Sequence, residues 1–228
     1  MANDNKWCFA WHAAPPAGSK TERAALVKAS KWTPGNLITV SFLDGDPGVQ
    51  AKVKQVAQRW TTPGMANLLL SFRDDNNTDI RISFQFPGSW SVIGTTCRSI
   101  TDKTQPTMNF GWLTPTSDPD EVRRVVLHEF GHAMGLIHEH QNPAGGIKWN
   151  RPEVIRSLSG PPNNWDLPTI EHNMFEPTVA AETNFTKVDG ASIMMYPIPA
   201  NWTTDGFSVG LNTDLSPTDK SFIHDQYP

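Results

Sequence analysis

Apolar and polar residues alternate along Leu37-Ile38-Thr39-Val40-Ser41-Phe42, between Pro34-Gly35 and Asp44-Gly45. A period of two bounded by turn residues predicts a half-buried strand. Val49, Val53, Val56 and Trp60 then recur at helical spacing, which predicts an amphipathic helix over 49–60, stopped by Pro63-Gly64. Strands are expected at 68–72 and at 80–86, where Ile80, Ile82, Phe84 and Phe86 alternate, with shorter ones at 91–95 and 107–112. Asp44-Gly45-Asp46, Asp74-Asp75-Asn76-Asn77 and Pro87-Gly88 read as turns. Ser117-Asp118-Pro119-Asp120-Glu121 carries the start signals of a second helix: a capping side chain, Pro at the first turn and two acids at the positive end of the dipole. Val122, Val125, Val126 and Phe130 continue its apolar face toward Gly135.

Beyond Gly135 the periodicity fades. Residues 141–215 are rich in Pro, Asn, Thr and Gly, with short helices expected at 151–159 and 168–175. Ser216-Pro217-Thr218-Asp219 starts a last helix that ends near Tyr227. Residues 1–30 read as an extension or strap, with a short helix possible over 20–30. The order of elements predicts an α+β fold. A mixed twisted sheet with two long helices forms an N-terminal lobe over about 31–135, and an irregular C-terminal lobe with a closing helix follows over about 136–228.

The chain has 228 residues, 38 % of them apolar, including nine Trp and eleven Phe, enough to bury a sizeable core. Its 19 basic and 23 acidic residues give a net charge of −4, which argues against a nucleic-acid binder. No apolar run approaches the roughly 18 residues that a membrane span needs. The first residues lack a basic start followed by an apolar run, so no signal peptide is visible. Cys8 and Cys97 allow one disulfide or two free thiols. Neither compartment nor oligomeric state follows from this.

The chemistry concentrates in His128-Glu129-Phe130-Gly131-His132-Ala133-Met134-Gly135-Leu136-Ile137-His138, with the spacing HExxHxxGxxH. On a helix His128 and His132 stand about 40° apart around the axis and about 6 Å apart along it, so both imidazoles reach one ion. Gly135 permits the left-handed turn that brings His138 back to the same point. Neutral imidazoles with an open fourth position are the ligand set of catalytic zinc, whereas structural zinc takes four closed ligands, usually with Cys. Glu129, beside the first ligand, is placed to act as general base on a metal-activated water. Five fixed positions of these types arise by chance in roughly one chain in 10⁵ of this length, which makes coincidence a weak alternative.

This motif, with Glu139 directly after it and Ser192-Ile193-Met194-Met195-Tyr196 further on, resembles the metzincin metallopeptidases and, within them, the astacin-like group. The resemblance covers most of residues 31–228 and implies a zinc endopeptidase with one catalytic ion, acting on proteins or peptides. It implies that Met194 is the apolar base of a Met-turn beneath the metal. It also implies that Tyr196 ligates or approaches zinc and then stabilises the oxyanion. Asn142 stands where the group has an Arg, two cysteines cannot supply the group's disulfides, and the extension separates the N-terminus from Glu139. The protease class favours secretion.

A second function of a different kind is a catalytically silent zinc-binding module on the same fold; the intact Glu129 argues against it. Cys8 is open to three roles: a partner for Cys97, a free thiol, or a thiolate that blocks the zinc. His140 is two residues out of ligand spacing and is expected at the surface, and His12, His172 and His224 have no partner spacing. Residues 107–112 are expected to form the sheet edge above the cleft, where a substrate peptide adds by backbone hydrogen bonds.

Overall fold

A computed structural model describes residues 8–11, 29–142, 145–161, 163–176 and 187–228. The expected helix over 20–30 lies almost wholly outside these residues. Six strands form one sheet: β1 (Cys8–Trp11), β2 (Leu37–Phe42), β3 (Leu69–Phe72), β4 (Ile80–Ser83), β5 (Ser89–Val92) and β6 (Met108–Phe110). Their order is β1-β5-β6-β4-β2-β3. Strands β3, β2, β4 and β6 run parallel, β5 is antiparallel to β6, and β1 is parallel to β5.

Helix α1 (Pro47–Ala57) is capped by Asp46, whose side chain accepts from Gly48 N at 2.7 Å. It tightens into a short 3₁₀ turn, Gln58–Thr61, where the Trp60 indole donates to Leu127 O at 3.0 Å. That bond ties α1 to the long helix α2 (Pro119–Ala133), which Asp118 caps through Asp120 N and Glu121 N. The two helices pack on the sheet over a core that includes Ile38, Val40, Ile82, Val53, Val125 and Phe130. A second core gathers Val154, Leu158, Ile170, Met174, Tyr196 and Trp202 around α3 (Arg151–Ser159) and α4 (Leu167–Ile170). The boundary between the cores runs through the chain at Met194 and Met195, which belong to the first and second respectively. The closing helix α5 (Pro217–Gln226) returns to the first core through Ile223.

Several expected bounds change for local reasons. The strand expected over 80–86 stops at Ser83. Asp44 takes the Ser83 hydroxyl and the Phe84 N–H at 2.6 and 2.8 Å, and the Asn109 amide bonds Phe86 N and Phe86 O. Side chains thus replace the ladder that alternation had promised. The helix expected over 168–175 is a single α-turn followed by a π-turn at Glu171–Phe175. Residues 107–112 do not form the sheet edge, because β6 lies between β5 and β4. The antiparallel return places β5 outside β6, and β1, from the extension, covers the outer side of β5.

Candidate metal centre

Helix α2 carries His128 and His132 on its last turns and ends in a Schellman motif. Gly135, at φ 98°, donates to His132 O at 2.8 Å, and Leu136 N donates to Gly131 O at 3.0 Å. The next residues run extended and return His138 to the helix. The potential ligand nitrogens of His128, His132 and His138 lie within 4.8 Å of one another, and all three residues are buried.

Backbone carbonyls settle the tautomers. A carbonyl only accepts, so the nitrogen facing it carries the proton. His128 Nδ1 donates to Ile193 O at 2.8 Å and His132 Nδ1 donates to Leu136 O at 2.9 Å. In the neutral rings both Nε2 atoms are therefore left with lone pairs. His128 Nε2 is buried and makes no hydrogen bond. His132 Nε2 lies 3.1 Å from His138 Nε2. Two imidazole nitrogens bound at about 2.0–2.1 Å to one tetrahedral ion would stand roughly 3.3 Å apart. Burial, helped by the neighbouring His132, holds the His128 imidazole well below the ordinary histidine range, so it stays neutral, the form a metal requires. A Zn²⁺ ion fits this donor set.

Glu129 follows His128 on α2 and is fully buried. Met194 lies under the helix, against Gly131. The Tyr196 ring centroid is 4.3 Å from that of His138 and 6.1 Å from that of His128. The structure thus brings His128, His132, His138 and Tyr196 together, and it places Met194 against Gly131 of the same helix.

Three neighbours differ from expectation or were missed. His140 is not a surface residue: it is 6 % exposed, stacks on Tyr196 at 4.6 Å and donates from Nε2 to Asn173 O at 2.7 Å. The π-turn carbonyls supply its partner, a contact no spacing rule reveals. Burial drives its pKa down to about 4. Glu139 accepts from Asn142 Nδ2 and Asp189 N, each at 3.0 Å, so Asn142 gives it a local donor. Burial nevertheless raises its carboxyl to about 7. Asp219, on α5, holds the turn that carries Met194.

The remaining candidates stand apart. His172 pairs with Glu176 and His224 lies 3.4 Å from Met65 O, while His12 falls outside the described residues. Cys97 is a free, buried thiol, so the expected alternative of a Cys8–Cys97 disulfide is not formed. Burial pushes that thiol up to about 12, which keeps it protonated. The side chain of Cys8 lies outside the described residues.

No protein-family model matches the chain, and no curated protein does. Among solved structures it is similar to a structure of myroilysin, with TM-score 0.85 and 42 % identity over 89 % of this chain and 97 % of that one. A crystal structure of myroilysin matches with TM-score 0.70 and 39 % identity over 99 % and 92 %. High choriolytic enzyme 1, a hatching enzyme zinc-protease from the medaka fish Oryzias latipes, matches with TM-score 0.55 and 16 % identity over 88 % and 95 %, a likeness of fold.

Proposed function

The chain belongs to the astacin-like metzincins, zinc endopeptidases that take one metal ion, and from that premise we propose how its own residues divide the work. His128, His132 and His138 hold the zinc through their Nε2 atoms. The observation that carries this is the convergence of three buried imidazoles, two of them fixed in tautomer by Ile193 O and Leu136 O. Zinc bound there supplies a Lewis acid that makes water acidic and polarises a peptide carbonyl.

Glu129 accepts the proton of the attacking water on its carboxylate and returns it to the leaving amine nitrogen. Its full burial keeps competing solvent away from the carboxylate, which follows His128 on the same helix. The Tyr196 hydroxyl would ligate or approach a bound zinc and would donate to the oxyanion that forms from the attacked carbonyl. Met194 forms the apolar floor under the ligands. Residues 31–228 make up the catalytic domain and residues 1–30 an extension to it. The substrates are proteins or peptides.

Cleavage of denatured casein, with and without a zinc chelator, tests the assignment. Cleavage that stops with chelator and returns with zinc supports it; cleavage indifferent to chelator contradicts it. We also place the enzyme outside the cell, as the protease class favours. None of the described helices is long and apolar enough to cross a membrane. Recovery of the activity only from cell extract, with none in the medium, would overturn that placement.

A further inference from the structure

The turn Ser192-Ile193-Met194 touches the ligand set at both of its ends. Ile193 O accepts from His128 Nδ1 at 2.8 Å, and Met194 O accepts from Glu139 N, one residue past His138, at 3.0 Å. What fixes those two carbonyls is a single carboxylate behind the turn. Asp219 Oδ2 accepts from Ile193 N at 2.8 Å, and Asp219 Oδ1 accepts from the Ser192 hydroxyl at 2.7 Å. Ser192 Oγ in turn accepts from Met194 N at 3.0 Å. Both N–H groups that precede the two carbonyls are thereby tied, directly or through Ser192, to Asp219.

We infer that Asp219 is a positioning residue of the metal centre, acting through the peptide groups of Ile193 and Met194 on His128 and on the segment that carries His138. The inference rests on the zinc assignment above. A plain helix cap does not account for the arrangement. Asp219 does close a capping box on α5, accepting from Ser216 N at 2.9 Å while Ser216 Oγ accepts from Asp219 N at 3.0 Å. That box needs one oxygen and no burial. Asp219 is instead 6 % exposed, and its second oxygen serves the turn. Burying a carboxylate is costly unless donors surround it. Here three donors do, and two of them come from the turn.

The distance involved is short. His128 and Asp219 are linked by one residue of backbone, Ile193, through its carbonyl on one side and its amide on the other. Partners that orient a ligating imidazole typically change metal affinity by about 10–100-fold when removed. Asp219 sits one link further out and acts on both ends of the ligand set.

Zinc alone is the probe, titrated against a chromophoric chelator. Asp219→Ala should weaken zinc binding by about tenfold or more. Asp219→Asn, which keeps the shape and an acceptor, should lose clearly less. Ile223→Ala loosens the packing of α5 without touching these hydrogen bonds, so it should lower Tm and leave zinc affinity unchanged. If Asp219→Ala lowers Tm as Ile223→Ala does but binds zinc like the parent chain, Asp219 is only a cap and the inference is wrong. Equal losses in Asp219→Ala and Asp219→Asn would assign the effect to charge and also overturn the positioning role. Should Asp219→Ala fail to fold, Ser192→Ala removes one of the same bonds and must weaken zinc in the same direction. A parent chain that binds no zinc would instead sink the metal assignment itself.

Discussion

Met194 packs against the bare α-carbon of Gly131: a methyl group there would lie 2.3 Å from Met194 Sδ and 3.2 Å from its Cε. Gly131 stands inside the HExxH segment, between Phe130 and His132, so the helix that carries two of the histidines is cut away where Met194 seats. Trp60 closes the same space, 3.3 Å from the added atom. Gly131→Ala should therefore cost about 1–3 kcal/mol of stability through overpacking, although alanine favours a helix by up to about 1 kcal/mol. Denaturant unfolding measures the net sign. A stabilised variant would show that Met194 can move aside freely.

His140 joins Tyr196 to the π-turn, through the ring stack and the hydrogen bond to Asn173 O. Replacing it by Ala removes a buried ring and leaves a carbonyl without its donor. The expected loss is about 2–4 kcal/mol, against less than about 0.5 kcal/mol for a surface histidine. Urea unfolding of His140→Ala separates the two. A shift within error of zero would return His140 to the surface role.

The backbone of β1 fills the outer edge of β5, and with β1 removed that edge would be open to an extended peptide adding by backbone hydrogen bonds. A tethered strand competes at an effective concentration on the order of millimolar, so casein at micromolar concentration is at a disadvantage. A chain shortened to begin at Ala29 should show kcat/KM for casein raised by about tenfold or more, with zinc content unchanged. Equal rates for the full and shortened chains would mean that substrate does not use that edge.

What could be read from the sequence was what neighbours in sequence decide. The ligand motif spans residues 128–138, and one helix, one glycine turn and one return stretch are enough to assemble it. Asp118 and Ser216 cap the helices they precede, as their positions indicated, while Asp46, read only as a turn residue, caps α1 as well. Contacts between distant segments were not readable. Asp219 bonds Ser192 across 27 residues, and His140 bonds Asn173 across 33. Alternation promised a strand through Phe86, yet Asp44, some 40 residues earlier, takes the Phe84 N–H. Strand β1 is four residues long, too short to show a period of its own.

We propose that this chain hydrolyses peptides with zinc held by three histidines and with Glu129 moving the proton. Glu129→Gln tests it most directly, because the amide keeps the shape of the side chain and loses the base. Zinc content by elemental analysis and casein cleavage are measured on the same sample. One zinc per chain and a rate lowered by about 10²–10⁴-fold are expected. A variant that keeps its zinc and cleaves at the parent rate would contradict it.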